Sequence, residues 1–222
     1  MNLLEFARAS STPESPLLAA LRKATWQQTR HGRLMSDPHT GQVLTMISQL
    51  LQPQIALELG TFSGYGTLCL LKGLQSDGVL HTVERNDELF CLQDKHWAQA
   101  KGHNRIQRHH ALAMDVLVQW DMSKNGAIDL AYVDADKQGI VDQLNALLPL
   151  MSNGGWMLFD NTWWNGTLSD ATGAKPDALR ELNARLLSDS TLTTTVLPIG
   201  DGLSAVRVSH HEGRAKQRQV QV

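Results

Sequence analysis

Cysteine is scarce in this chain: Cys69 and Cys91 are the two among 222 residues, and they show no metal-binding or redox spacing. That excludes a disulfide scaffold and fits thiols buried on separate helices in a reducing compartment. Charge of either sign is barely in excess, with a net charge of −2. Nothing general therefore draws the chain to a polyanion, and a nucleic-acid partner would need a local basic patch. No apolar run approaches the length of about 20 residues that spans a bilayer. The opening MNLLEFARASS lacks the basic segment and apolar core of a secretory signal. The expectation is a soluble, cytoplasmic protein. Also missing are an internal repeat and the GxGxxG fingerprint of dinucleotide-binding folds.

What is present is organised around Ile55 to Gly66, IALELGTFSGYG. Ile55, Ala56, Leu57 and Leu59 form a short apolar run that reads as a buried parallel strand; Gly60, Gly64 and Gly66 then punctuate a turn into a helix. Open α/β sheets bind ligands at such strand ends, where glycine lets backbone approach without a Cβ in the way. The spacing is GxxxGxG, and Glu58 inside the strand end would repel a pyrophosphate while attracting a cationic group. Glu84 closes the next apolar run and is placed to accept from both hydroxyls of a ribose. Glycine turn, early acid and late acid together suit S-adenosylmethionine, which has a ribose, a sulfonium and an amino acid but no phosphate.

Hydrophobic content of 42% over this length supports one α/β domain with a continuous core. Residues 1–208 are expected to form it, with residues 1–52 supplying helices that cover the site and residues 209–222 a polar, mobile tail. Helices are expected from Ser15 to Arg30, with Leu17, Leu18, Leu21 and Trp26 at helical spacing, and from Pro38 to Leu51, capped by Ser36 or Asp37 and presenting Val43, Leu44, Ile47, Leu50 and Leu51 on one face. From Ile55 onward strand and helix alternate. Strands fall at Ile55 to Leu59, Val79 to Val83, Arg105 to His109, Ile128 to Val133 and Trp156 to Phe159; helices fall at Tyr65 to Leu74, Asp87 to Lys101, Leu112 to Trp120 and Gly139 to Leu150. That pattern predicts a mostly parallel sheet with helices on both faces. A long loop from Asn161 to Lys175 precedes a helix with Leu179, Leu182, Leu186 and Leu187 inward. Leu192 to Pro198 and Leu203 to Val208 read as a terminal hairpin around Gly200 to Gly202, with one strand antiparallel to the rest.

Two further strand ends carry carboxylates, VDADK at Val133 to Lys137 and FDN at Phe159 to Asn161. Parallel strands end together, so these emerge on the same edge as Glu58 and Glu84. Oxygen donors from Asp134, Asp160 and Asn161 can converge on one hard cation; magnesium is the default, and manganese or calcium would also fit. Taken singly, an Asp or Asn after a strand is more often a turn former or helix cap.

The strings ELGTFSGYG, VERND, YVDADK, FDNTWWNG and LPIGDGL, in this order and spacing, resemble the cation-dependent O-methyltransferases, the group of the caffeoyl-coenzyme A and catechol enzymes. The resemblance spans roughly Met35 to Val208. It implies a Rossmann-like class I methyltransferase fold with a seven-stranded sheet, S-adenosylmethionine as cofactor, and a homodimer. It also places the methyl donor against Met35, Ser36, Glu58, Gly60, Thr61, Gly64, Gly66, Glu84 and Ala111, with Asp136 at the donor's amino acid end. Asp134, Asp160 and Asn161 match the metal ligands, Lys137 a candidate general base beside Asp134, and Asn165 a substrate-side position. Trp164, next to Asn165, is the candidate wall for an aromatic acceptor. Several positions depart from the family pattern: Gly66 stands where a serine is frequent, His110 where an acid is common, Ile140 for a tyrosine and Trp163 for a leucine. The plant enzymes' substrate-binding N-terminal pattern is not recognisable, so coenzyme A thioesters are not implied.

The expected reaction is O-methylation of a catechol-like small molecule, the metal favouring the phenolate and Lys137 accepting the proton; the bland reading of Lys137 is an ion pair with Asp136 or Glu58. A rival keeps the chemistry and changes the acceptor to a hydroxyuridine of tRNA, with Arg214, Lys216, Arg218, Arg22, Lys23, Arg30 and Arg33 available to phosphates. More distant rivals are a nucleotide-dependent oxidoreductase, opposed by Glu58 and the missing fingerprint, and a non-catalytic S-adenosylmethionine-binding module. No membrane partner is expected.

Overall fold

The computed structural model describes residues 3–209. Three helices come first, α1 (Leu3–Ala9), α2 (Pro16–Gln28) and α3 (Pro38–Leu51). Prolines open α2 and α3 at a position where a missing N–H removes no helical bond, and Ser15 and Asp37 cap them by accepting from the N–H groups of Leu18 and His39. The α1 helix was not anticipated. Trp26 and Leu50, members of the apolar patterns that marked these helices, are 58% and 80% exposed; burial is carried by Leu18, Leu21 and Leu44.

Strand and helix then alternate: β1 (Ile55–Leu59), α4 (Tyr65–Leu71), β2 (Val79–Glu84), α5 (Phe90–Trp97), β3 (Ile106–His110), α6 (Ala113–Val118), the single turn α7 (Met122–Asn125), β4 (Ile128–Val133), α8 (Ile140–Leu147), β5 (Met151–Phe159), α9 (Ala174–Ser188), β6 (Leu192–Leu197) and β7 (Leu203–Val208). The seven strands form one sheet in the order β3-β2-β1-β4-β5-β7-β6. The first five are parallel; β7 inserts between β5 and β6, antiparallel to both. Side chains alternate between the faces of a strand, and two cores result. Leu57, Leu59, Ala131, Val133, Met157 and Phe159 face α6, α8 and α9. Ala56, Leu130, Tyr132 and Leu158 face α2 to α5.

Some boundaries moved. β5 starts at Met151 rather than Trp156, because a register shift opposite Ile128 and a positive φ of 84° at Gly154 absorb the irregular SNGG segment. Asp129 stitches that start, accepting from Ser152 Oγ and from the N–H groups of Gln54 and Ile55. α8 stops at Leu147, and a 3₁₀ turn over Leu148–Leu150 follows, where Pro149 lacks a donor. Leu187 points outward at 80% exposure, leaving Leu179, Leu182 and Leu186 as the buried face of α9. Cys91 is exposed, against the expectation of two buried thiols; Cys69 is buried, and burial pushes its thiol up to about 12. The expected tail, with Arg214, Lys216 and Arg218, lies outside the described residues. No described helix is long and apolar enough to cross a membrane.

Candidate active site

The strand order reverses direction at β1 and β4, the place where a doubly wound sheet opens a crevice. Their ends are tied edge to edge by backbone bonds. Gly60 and Thr61 donate to Val83 O at 3.0 and 3.2 Å, Asp134 N to Leu59 O at 2.8 Å, and Asp160 N to Val133 O at 3.1 Å. These bonds bring the four acid-bearing strand ends to one rim. Gly60 is required there: its φ is 95°, and a Cβ would stand 2.3 Å from the Asp134 carbonyl oxygen.

Both acids expected to meet a ligand already have partners within the chain, and Glu84 holds the glycine loop. Glu84 receives the N–H groups of Phe62 and Asn86, one on each oxygen, at 2.8 and 2.9 Å. A carboxylate has capacity for more donors than these two. Glu58 is 1% exposed, and its Oε2 accepts from Thr67 and Thr82 hydroxyls, both at 2.5 Å. Burial raises its pKa to about 8, the two hydroxyl bonds opposing and the Asp134 and Glu84 charges adding to the rise. Its Oε1 faces Gly66, where a Cβ would meet that oxygen at 2.5 Å. The glycine at this departure from the family pattern therefore leaves space that the carboxylate uses.

Across the rim, Lys137 donates to Asp134 Oδ1 at 2.8 Å. This corrects the expected structural partners, Asp136 and Glu58. Asp136 instead receives the Gly139 N–H. Burial raises the Asp134 pKa to about 6; the Lys137 ammonium opposes that and the Asp160 charge reinforces it. Asp160 Oδ1 accepts from the backbone N–H and the side-chain amide of Asn161 at 2.7 and 3.3 Å, and its Oδ2 accepts from Tyr132 OH at 2.5 Å. Tyr132 OH also lies 3.0 Å from Ser36 Oγ, so one buried hydroxyl joins the linker after α2 to the carboxylate at the end of β5. Tyr132 was not anticipated: the apolar run LAYV marked it as core, which its ring is.

Among the described residues no group of three or more His, Cys, Asp and Glu side chains is gathered as around a metal ion. The expected set contains two carboxylates and an amide. Its chemistry fits a hard cation: Asp134 and Asp160 repel one another in a buried place where Lys137 is the paired cation, which leaves a negative excess.

A cleft of about 1070 Å³ runs along this rim, at the upper end of ordinary ligand sites and roomy enough for a nucleoside-sized molecule beside a small aromatic one. Met35 and Ser36 wall it from the linker, Gly60, Glu84, Ala111 and Asp136 from the strand ends, and Asp134, Lys137, Asp160, Asn161, Trp164 and Asn165 at the other end. Glu58, Thr61 and Gly66 face a small adjoining recess. Gly64 lines neither. It sits under Trp97, whose indole N–H donates to its carbonyl at 3.3 Å and would stand 2.4 Å from a Cβ, so its duty is packing. His110 turns away to meet the Phe90 ring edge-on, and Ile140 is buried core.

The loop after β5 has left-handed backbone at Asn161 (φ 60°), Trp164 (54°) and Asn165 (53°), a conformation that disfavours ordinary side chains and gathers at functional sites. The β6–β7 turn pins it, Asp201 accepting from the Asn165 N–H and Gly202 O from Thr162 N. Asp201 thereby lines the cleft. Only the turn around it, not its partner, was legible in the sequence. Trp164 packs against the core while facing the cleft; Trp163 is 59% exposed.

Residues 8–209 match the O-methyltransferase family. A caffeoyl-CoA O-methyltransferase of Stellaria longipes is 30% identical over 205 residues, covering 87% of this chain and 84% of that protein. The catechol O-methyltransferase domain-containing protein 1 of Mus musculus is 30% identical over 205 residues, covering 91% and 78%. Among solved structures, the O-methyltransferase TomG from Streptomyces achromogenes in complex with SAM superposes with a TM-score of 0.84 at 24% identity, over 93% of this chain and 95% of that one. The acid-rimmed cleft at the β1/β4 crevice thus sits in a chain that belongs to the O-methyltransferase family.

Proposed function

We propose that this enzyme transfers the methyl group of S-adenosylmethionine to one hydroxyl of a catechol-like aromatic diol, with a divalent cation, magnesium by default, held by Asp134, Asp160 and Asn161. The observation that carries the reading is the grouping of these three with Lys137 at one end of a cleft whose other end presents Glu84 and Ala111. The names of the Stellaria and mouse relatives and the SAM complex of TomG agree with it.

On this reading Glu84 receives the ribose hydroxyls and Glu58 the donor's ammonium, which favours its ionised form against burial. A phenol with a pKa near 10 is a poor nucleophile at neutral pH. A bound divalent cation would favour the phenolate and fix the diol's two oxygens. Lys137, whose Nζ lies 2.8 Å from Asp134 Oδ1, is the group placed to accept the phenol's proton. Trp164 and Asn165 orient the aromatic ring, and aligned attack is where positioning supplies most of the rate.

The test is methyl transfer to a catechol, a monophenol and hydroxyuridine-containing tRNA, each with magnesium and with chelator. Metal-dependent turnover of the catechol, abolished by Asp134→Ala, is expected. Turnover of the tRNA alone would replace the acceptor class, and activity that survives chelation would sink the metal assignment.

A further inference from the structure

Three buried side-chain polar atoms have no partner among the described residues: His39 Nδ1, Ser63 Oγ and Gln143 Oε1. Gln143 is the one that faces the large cleft. It is 2% exposed, and its Nε2 donates to the Asp136 carbonyl at 2.9 Å. That bond fixes which way the amide points, because only the NH₂ end can donate to a carbonyl. The free atom is therefore an acceptor, held in place and stripped of water. A buried acceptor without a donor is disfavoured unless a ligand supplies one.

The surroundings say what the ligand presents. Gln143 lies on α8, which packs against α6 in one core, with Met114 and Leu144 among the shared residues. Ala111 and Leu112 before α6, with Ala113 and Met114 in its first turn, line the same cleft and carry no polar side chain. An apolar wall beside one fixed acceptor suits a flat heteroaromatic ring bearing an N–H donor. S-Adenosylmethionine offers donors at its ammonium, its ribose hydroxyls and the exocyclic amine of adenine. The carboxylates Glu58 and Glu84 are suited to the first two, which leaves the neutral amine for the neutral amide oxygen.

We propose that Gln143 Oε1 accepts a hydrogen bond from the exocyclic amine of the cofactor's adenine, making Gln143 the residue that selects adenine over a base with an oxygen at that position. The proposal rests on the reading of the cleft as the S-adenosylmethionine site. An inosine-type base would set a carbonyl oxygen against Gln143 Oε1, two acceptors facing each other.

Calorimetric titration of the full chain with S-adenosylhomocysteine and with its inosine analogue tests this without turnover or metal. The parent protein should bind the adenosine compound at least about tenfold tighter, a difference of about 1.4 kcal/mol. Gln143→Leu should lose about tenfold for S-adenosylhomocysteine and nothing for the inosine analogue, which also reports that the variant is folded. The proposal is overturned by a parent that binds both equally, by Gln143→Leu retaining the preference, or by an equal loss for both compounds, as an ordered water on Gln143 would give. A parent that binds neither compound would overturn the cofactor reading itself.

Discussion

Removing one oxygen atom from the centre of the site tests the arrangement most directly. Tyr132→Phe keeps the ring that packs with Leu130 and Leu158 and deletes the hydroxyl that bonds Asp160 Oδ2 at 2.5 Å and lies 3.0 Å from Ser36 Oγ. Tyr132 is 1% exposed, so water has no ready access to replace it. Hydrogen bonds to charged groups contribute about 1.5–3 kcal/mol net, and no large cavity opens to add to this. The expected loss is about 2 kcal/mol by urea unfolding at pH 7 in the presence of chelator. In a domain of this size about 2–4 °C of Tm follows each kcal/mol, hence a fall of about 4–8 °C. A double-mutant cycle with Asp160→Asn assigns the cause: the two substitutions should be non-additive by 1 kcal/mol or more on the order expected for contacting residues. A Tyr132→Phe variant within about 0.5 kcal/mol of the parent, the range of ordinary surface changes, would refute the bridge from Ser36 to Asp160.

Gly60→Ala forces a Cβ to 2.3 Å from the Asp134 carbonyl oxygen at a φ of 95°; a loss of about 3 kcal/mol or more on denaturation, with donor binding abolished, is expected from a left-handed strain of about 1–3 kcal/mol plus backbone displacement. Glu58 titrates in the folded chain at about 8 against an ordinary 4.5, so the folded state binds the extra proton between those values and stability falls as pH rises through them. Glu58→Gln should flatten that fall, and the proton that the parent releases on binding S-adenosylhomocysteine at pH 7, read by calorimetry in two buffers, should vanish with it. His81 is shifted the other way: burial, aided by His109, lowers it from 6.5 to about 4. The unfolded chain then binds the extra proton, stability drops as pH falls from 6.5 toward 4, and His81→Phe, which keeps a ring against Trp120, should lessen the slope. Trp164→Ala should raise the acceptor's KM several-fold and leave S-adenosylhomocysteine affinity alone; an unchanged KM would return Trp164 to packing.

The parts of the fold that were legible in the sequence are those where one physical demand dominates. Ile55 to Leu59 and Ile128 to Val133 were placed to the residue because a central parallel strand is covered on both faces and reads as a short, mostly apolar run, interrupted here only by Glu58 and Asp129. The β5 start was not, since Ser152 to Gly155 resembles a turn and is kept in the sheet by the Asp129 carboxylate, a partner 23 residues away. Charged residues at strand ends announced the site for a related reason: an acid beside a buried run needs an explanation, and Glu58, Glu84, Asp134 and Asp160 each had one available. Neutral polar groups gave no such signal. The Tyr132 ring satisfies the apolar pattern while its hydroxyl does other work, and Gln143 sits on α8 among Ile140, Leu144 and Leu147 as an ordinary helix former. Both act through bonds to elements distant in the chain or fixed by tertiary packing, Ser36 and Asp160 for one and the Asp136 carbonyl for the other. Periodicity records which face a residue takes, whereas the donor or acceptor it meets on that face is set by the topology. Such residues are therefore found where the hydrogen-bond accounting of buried side chains closes or fails to close, at Tyr132 on β4 in the first case and at Gln143 on α8 in the second.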